Sequence, residues 1–152
     1  MIQRVQSIWL FLASLSLVLL LLLPVASNQN SGSEFWVTVT GLYQQSNGTA
    51  QKIETFRPLY TGVLVTALIC FAAIFSFRNR TVQKRIISTV IILIAGLSFW
   101  TVSYAGKIPG GLESASFGIG IILPLLSVVF CVLAFRGIRK DEQLLRSADR
   151  LR

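Results

Sequence analysis

Four stretches of this chain, residues 8–26, 59–77, 86–105 and 117–135, contain no Asp, Glu, Lys or Arg. Each is long enough, at about 1.5 Å per residue, to cross the roughly 30 Å hydrocarbon core of a bilayer as a helix. The longest piece between them, 27–58, is too short to bury a stable core of its own without disulfides. The 152 residues therefore predict a single membrane domain over 1–152, all-α, with four transmembrane helices. Charged residues make up only 13% of the chain, about half the usual share, and all of them fall outside the four runs.

Their distribution sets an orientation. Loops rich in Lys and Arg stay in the cytoplasm. The N-terminal stub, the connection 78–85 and the tail 136–152 hold eleven of the 14 basic residues, and the tail holds Asp141, Glu142 and Asp149. The two other connections carry Lys52, Arg57 and Lys107 against Glu34, Glu54 and Glu113. Both termini are thus expected in the cytoplasm, and 27–58 outside. Tyr60, Trp100 and Tyr104 near the outer ends, and Trp9, Phe75, Phe77 and Phe135 near the inner ones, fit the headgroup depth that amphipathic rings prefer. The run from Arg4 to Pro24-Val25-Ala26-Ser27 has the outline of a signal peptide. Its apolar stretch is long for that class, and it is read as a retained span.

Outside, 35–56 alternates as strands do. Asn47-Gly48 suits a two-residue type I′ turn, whose central positions need positive φ, and predicts a β-hairpin pairing Leu42 with Ile53, Thr40 with Thr55 and Val39 with Phe56. A lone hairpin in water is marginal, so its apolar face is expected on the bilayer surface or on the second outer loop. The plain reading is a compact cap joining two spans; the functional one is strand addition by a partner. Asn47-Gly48-Thr49 also matches a glycosylation acceptor, but the turn accounts for it.

Inside, Leu144, Leu145, Ala148 and Leu151 form an apolar stripe, which predicts a short C-terminal amphipathic helix after a break at Gly137, although a continuous helix is also open. Its basic residues suit anionic headgroups at the cytoplasmic face, and its stripe suits a protein partner. Nucleic acid is not expected, because the positive charge already has a topological explanation.

The spans carry no ionisable residue of the kind that marks intramembrane proton or ion paths. Histidine, the commonest general base and metal ligand, is absent from the chain. No catalytic residue, metal ligand or cofactor is predicted. Cys70 and Cys131 read as packing thiols. Ser and Thr residues in the spans back-bond or pack, or else line a polar path. Ala72 with Ser76, Ser127 with Cys131, and Gly96, Gly118 and Gly120 offer close approach. Pro24 and Pro124 are candidate kinks, Pro124 more so.

The opening Met1-Ile2-Gln3-Arg4-Val5-Gln6-Ser7 and the tail from Arg136-Gly137-Ile138-Arg139-Lys140-Asp141-Glu142 to Arg146-Ser147-Ala148-Asp149-Arg150-Leu151-Arg152 together resemble a four-span bacterial inner-membrane family of unknown function, typical of Bacteroidetes-type bacteria. The resemblance covers the whole chain and implies a multi-pass inner-membrane location, with no activity attached. It directs attention to Gln3, Arg4, Lys140, Asp141, Glu142, Asp149 and Arg150 as contact residues, with Arg4 expected near Asp141 or Glu142. The leading expectation is a non-enzymatic accessory or scaffold protein contacting a membrane or cytoplasmic partner, with a homo-oligomer left open. A small oligomeric transporter is the alternative. An enzyme would have to draw on Glu34, Lys52, Glu54 or Glu113 and is not expected.

Overall fold

The computed structural model describes residues 2–30, 33–46, 49–108 and 115–149. Among these are four helices long and apolar enough to cross a membrane: α1 (Ile2–Leu22), α2 (Arg57–Phe75), α3 (Arg80–Ala105) and α4 (Ile122–Asp149). They run up and down as a bundle in which α1 packs most extensively on α4 and then on α2, while α3 and α4 share the thinnest seam. Large apolar side chains face outward, among them Phe99 at 77% exposure and Ile92 at 72%. A water-soluble protein rarely shows so broad an apolar surface, which suits helices long and apolar enough to cross a membrane. Inside, Leu10, Ala13, Leu17, Ala67, Cys70, Ala73, Cys131 and Ala134 are buried together. Ile87, Val90, Ile94 and Ile138 complete this core, in which small Ala and Cys side chains alternate with large aliphatic ones and let the helices approach closely.

Each helix end has a local cause. Pro24 lacks an amide proton and disfavours helix at Leu23, so α1 stops at Leu22. The first helix is therefore terminated rather than kinked, and ends four residues before the expected limit at Ala26. Pro58 sits in the first turn of α2, where no intrahelical amide bond is lost. Between α2 and α3, Asn79 caps α3 by accepting from the Val82 amide at 3.3 Å. Gln83 reaches back to donate to the Ala73 carbonyl at 3.1 Å, near the C-terminal end of α2. Pro124 also falls in a first turn, since α4 begins only at Ile122. The kink expected there is absent, for the same reason as at Pro58. The fourth run instead opens with a short strand and a 3₁₀ turn over Ile119–Ile121.

The expected hairpin is part of a larger sheet. Strands β1 (Ala26–Asn30), β2 (Ser33–Thr38), β3 (Gly41–Ser46), β4 (Thr49–Thr55) and β5 (Ser116–Phe117) are antiparallel, in the order β4-β3-β2-β1-β5. The segment 35–42 read as one arm is folded at Val39-Thr40 into two strands, so Leu42 lies across β2 from Val37. Between β3 and β4 the expected register holds near the turn, with Ser46 opposite Thr49 and Tyr43 opposite Lys52. A bulge then shifts it by one, and Leu42 meets Glu54 rather than Ile53. Residues Asn47 and Gly48 of the turn lie outside the described set.

The sheet sits on the end of the bundle and on the described part of the second outer loop, through Ile108 and the pairing of Ser27 with Ser116. Val37, Val39, Leu42 and Phe56 are buried with Leu20, Leu59, Val63, Ala105, Ile108 and Leu123. In contact with water, each such side chain contributes roughly 1.5–3 kcal/mol. Backbone bonds tie the two layers: the Gly118 amide donates to the Val25 carbonyl at 2.9 Å, and the Gly120 amide to that of Pro24 at 3.1 Å. A Cβ at Gly118 or Gly120 would stand 2.5 or 2.6 Å from the Pro24 carbonyl oxygen, so the close approach expected there is real. Gly96 has nothing within 4 Å and serves no such contact.

At the opposite end, α4 runs without interruption through Gly137 to Asp149. The separate short C-terminal helix is thus the last part of a single 28-residue helix. Gly137 marks a close crossing instead of a break: a Cβ there would lie 3.0 Å from the Gln6 side chain on α1.

Candidate functional site

The end of the bundle that carries both termini is built from three helix ends. The first turns of α1 and α3 lie beside α4 as it leaves its charge-free stretch. Gln6 and Asp141 are both more than nine-tenths buried. The Gln6 amide donates from Nε2 to Asp141 Oδ2 at 2.5 Å. One residue on, Lys84 Nζ meets Glu142 Oε2 at 2.5 Å, with both side chains about one quarter exposed. Successive residues of α4 thus clasp α1 on one side and α3 on the other. Asp141 Oδ1 and Arg80 Nη1 are buried without a hydrogen-bond partner among the described residues. Beyond the clasp, α4 continues from Gln143 to Asp149, which at about 1.5 Å per residue adds roughly 10 Å of projecting helix.

The opposite end is held by aromatic and charged contacts. Phe56 and Tyr104 stack at 3.9 Å, and Trp100 follows Tyr104 at 6.1 Å. Lys107 Nζ pairs with Glu54 at 2.6 Å and lies 4.8 Å from the Tyr104 ring centre. This ties the end of α3 to β4. Trp36 stacks on Tyr43 at 5.7 Å, and Lys52 covers Tyr43. The open edge of β4 is exposed along nearly its whole length, but it carries Lys52 and the bulge at Ile53. Both features discourage strand addition.

Between the two ends, the polar groups of the spans are bonded internally. Ser16 and Ser127 share a hydrogen bond of 2.5 Å between α1 and α4. Ser14, Thr61, Thr66, Ser88, Thr89, Ser98, Thr101 and Ser103 donate to backbone carbonyls of their own helices, and the Ser16–Ser127 pair shares the Ala13 carbonyl as acceptor. Cys70 donates to the Leu10 carbonyl at 3.7 Å and meets the Cys131 thiol across α2 and α4. Ser127 and Cys131 form a buried small-residue pair, whereas Ala72 is exposed to lipid. Among the described residues, no three His, Cys, Asp or Glu side chains gather as metal ligands.

A family model described as "Domain of unknown function (DUF4293)" matches residues 2–151, nearly the whole chain. The chain belongs to this family. No curated protein matches it.

In this DUF4293 chain the seven expected contact residues fall as follows. Gln3 and Arg4 lie in the first turn of α1, with side chains outside the described set. Lys140 is exposed on α4. Asp141 and Glu142 are taken by Gln6 and Lys84. Asp149 ends α4, its side chain outside the described set, as is all of Arg150. Gln6 and Lys84 are the partners that sequence reasoning missed. Lys84 had been absorbed into the topological charge of 78–85. Gln6 carried a usable signal: a long polar side chain entering an apolar helix, with glycine available on a later span to receive it.

Proposed function

We propose that this is a non-enzymatic accessory or scaffold protein of a bacterial inner membrane, with both termini in the cytoplasm and the sheet outside. Its contact surface is the end where α1, α3 and α4 converge. The observation that carries this reading is the uninterrupted α4, braced at Asp141 and Glu142 and projecting its last turns clear of the bundle. A partner meets a preformed helix there, so binding needs little ordering of the chain. Eleven of 14 basic residues lie at that end, which supports a cytoplasmic orientation. The sheet end is a weaker contact candidate, because its free edge is blunted.

A small oligomeric transporter is less well supported, since the span hydroxyls that would line its path already bond to carbonyls. A photo-reactive residue placed at Gln143 in living cells tests the proposal against the same probe at lipid-facing Phe99. A discrete protein adduct at Gln143 alone is the expected outcome. Adducts only between copies of this chain, together with solute leakage from reconstituted vesicles, overturn the scaffold reading and favour the transporter.

A further inference from the structure

The thin seam between α3 and α4 opens at the basic end into a hollow of about 380 Å³, lined by Lys84, Phe135, Arg139, Glu142 and Gln143. Its depth is set by the sequence. Phe135 is the last residue of the fourth charge-free run, and Lys84 lies two residues before the third begins. The hollow therefore straddles the boundary between hydrocarbon and headgroups. Lys84 and Glu142 largely neutralise one another. No carboxylate among the described residues lies within 4.0 Å of Arg139, so its guanidinium sets the sign of the hollow. The planar fork of Arg suits the paired oxygens of a phosphate. Above the hollow, exposed Ile92 on α3 and Val132 on α4 continue the seam as an apolar surface, and a separate apolar cleft of about 270 Å³, reaching from Ala95 and Val128 to Val25 and Gly120, lies toward the sheet end. From Lys84 to Ala95 is eleven residues of α3, or about 16 Å, close to half the roughly 30 Å hydrocarbon thickness.

We propose that this seam binds one anionic phospholipid, its phosphate held by Arg139 and its acyl chains lying along the outer faces of α3 and α4. A soluble phosphate offers the same anion but nothing to pack on the apolar faces of α3 and α4 above it. The membrane lipid is therefore the occupant that matches both parts. This inference is independent of whether a protein partner is recruited.

The test uses the full-length protein in mild detergent, presented with phosphatidylglycerol and phosphatidylcholine of identical acyl chains. Native mass spectrometry counts the lipid retained. One phosphatidylglycerol per chain is expected to be held in preference to phosphatidylcholine. Arg139→Gln should lower that preference about fivefold, the effect of one well-placed basic residue at a membrane surface. Lys140→Gln, exposed one position along the same helix, should leave it unchanged. Arg139 is itself exposed, so its substitution is not expected to impair folding, and an unchanged unfolding temperature checks this. Equal losses in the two variants, or no preference for the anionic lipid, overturn the site. Displacement of the lipid by excess inorganic phosphate overturns the lipid assignment in favour of a soluble phosphate.

Discussion

Gly118 and Gly120 show how a single missing Cβ lets a helix start cross a helix end at backbone distance. Gly118→Ala and Gly120→Ala are each expected to destabilise the protein by about 1–3 kcal/mol, the usual cost of overpacking a close contact. Gly96→Ala should be neutral or slightly stabilising, because its site is open and Ala favours helix. Thermal unfolding in detergent, followed by circular dichroism, separates the three. Gln6 and Asp141 make a second residue-scale case. Gln6→Ala strands a buried carboxyl group and should cost about 1–3 kcal/mol. Asp141→Asn keeps an oxygen to accept the Gln6 amide and should cost less. If Asp141→Asn proves the more damaging change, the charge of Asp141 matters more than this bond.

At the scale of elements, the helices were legible because a run without charge is a direct statement about solvent. Their ends were less so. Pro24 and Pro124 looked like interior kinks only while their runs were taken as helical from end to end. Strand β1 was invisible because Ser27-Asn28-Gln29-Asn30 has little strand propensity of its own and is held by Phe35 and Trp36 across the ladder. The Asn47-Gly48 motif predicts the register of β3 and β4 correctly from Ser46 and Thr49 to Tyr43 and Lys52, and the bulge shifts it further out, since alternation alone cannot reveal an extra residue. The candidate site was less legible still: its charged positions were visible, but their partners depended on which helices become neighbours. The continuity of α4 has a direct check. Spin labels at Val132→Cys and Gln143→Cys, in a background lacking Cys70 and Cys131, should lie about 16 Å apart along one helix axis with a narrow distribution. A broad distribution would indicate a break at Gly137.

For the whole molecule, the proposed orientation places the sheet and the tail on opposite sides of the bilayer. A membrane-impermeant maleimide should label Gln51→Cys in spheroplasts with intact inner membranes, and Lys140→Cys only after those membranes are opened, again without the native cysteines. The reverse pattern would invert the topology. The two end layers also differ in construction. The sheet end is closed by water-driven burial of Phe56, Val37 and Leu42, and the basic end by two polar clasps. Added salt should therefore loosen the Lys84–Glu142 contact, which is partly exposed, while leaving the sheet end intact.

The most extensive helix interface joins α1 to α4, the two of the four described helices farthest apart in the sequence. Gln6 and its partner Asp141 are 135 residues apart, and at roughly 5–20 residues per second of synthesis the first waits about 7–27 s for the second. During that interval Gln6 lacks its carboxylate partner, whereas Ser16 already bonds to the Ala13 carbonyl of its own helix. A variant truncated before Ile122 leaves Gln6 without the Asp141 carboxylate that accepts its amide, and is expected to be degraded faster than the intact protein in a pulse-chase measurement.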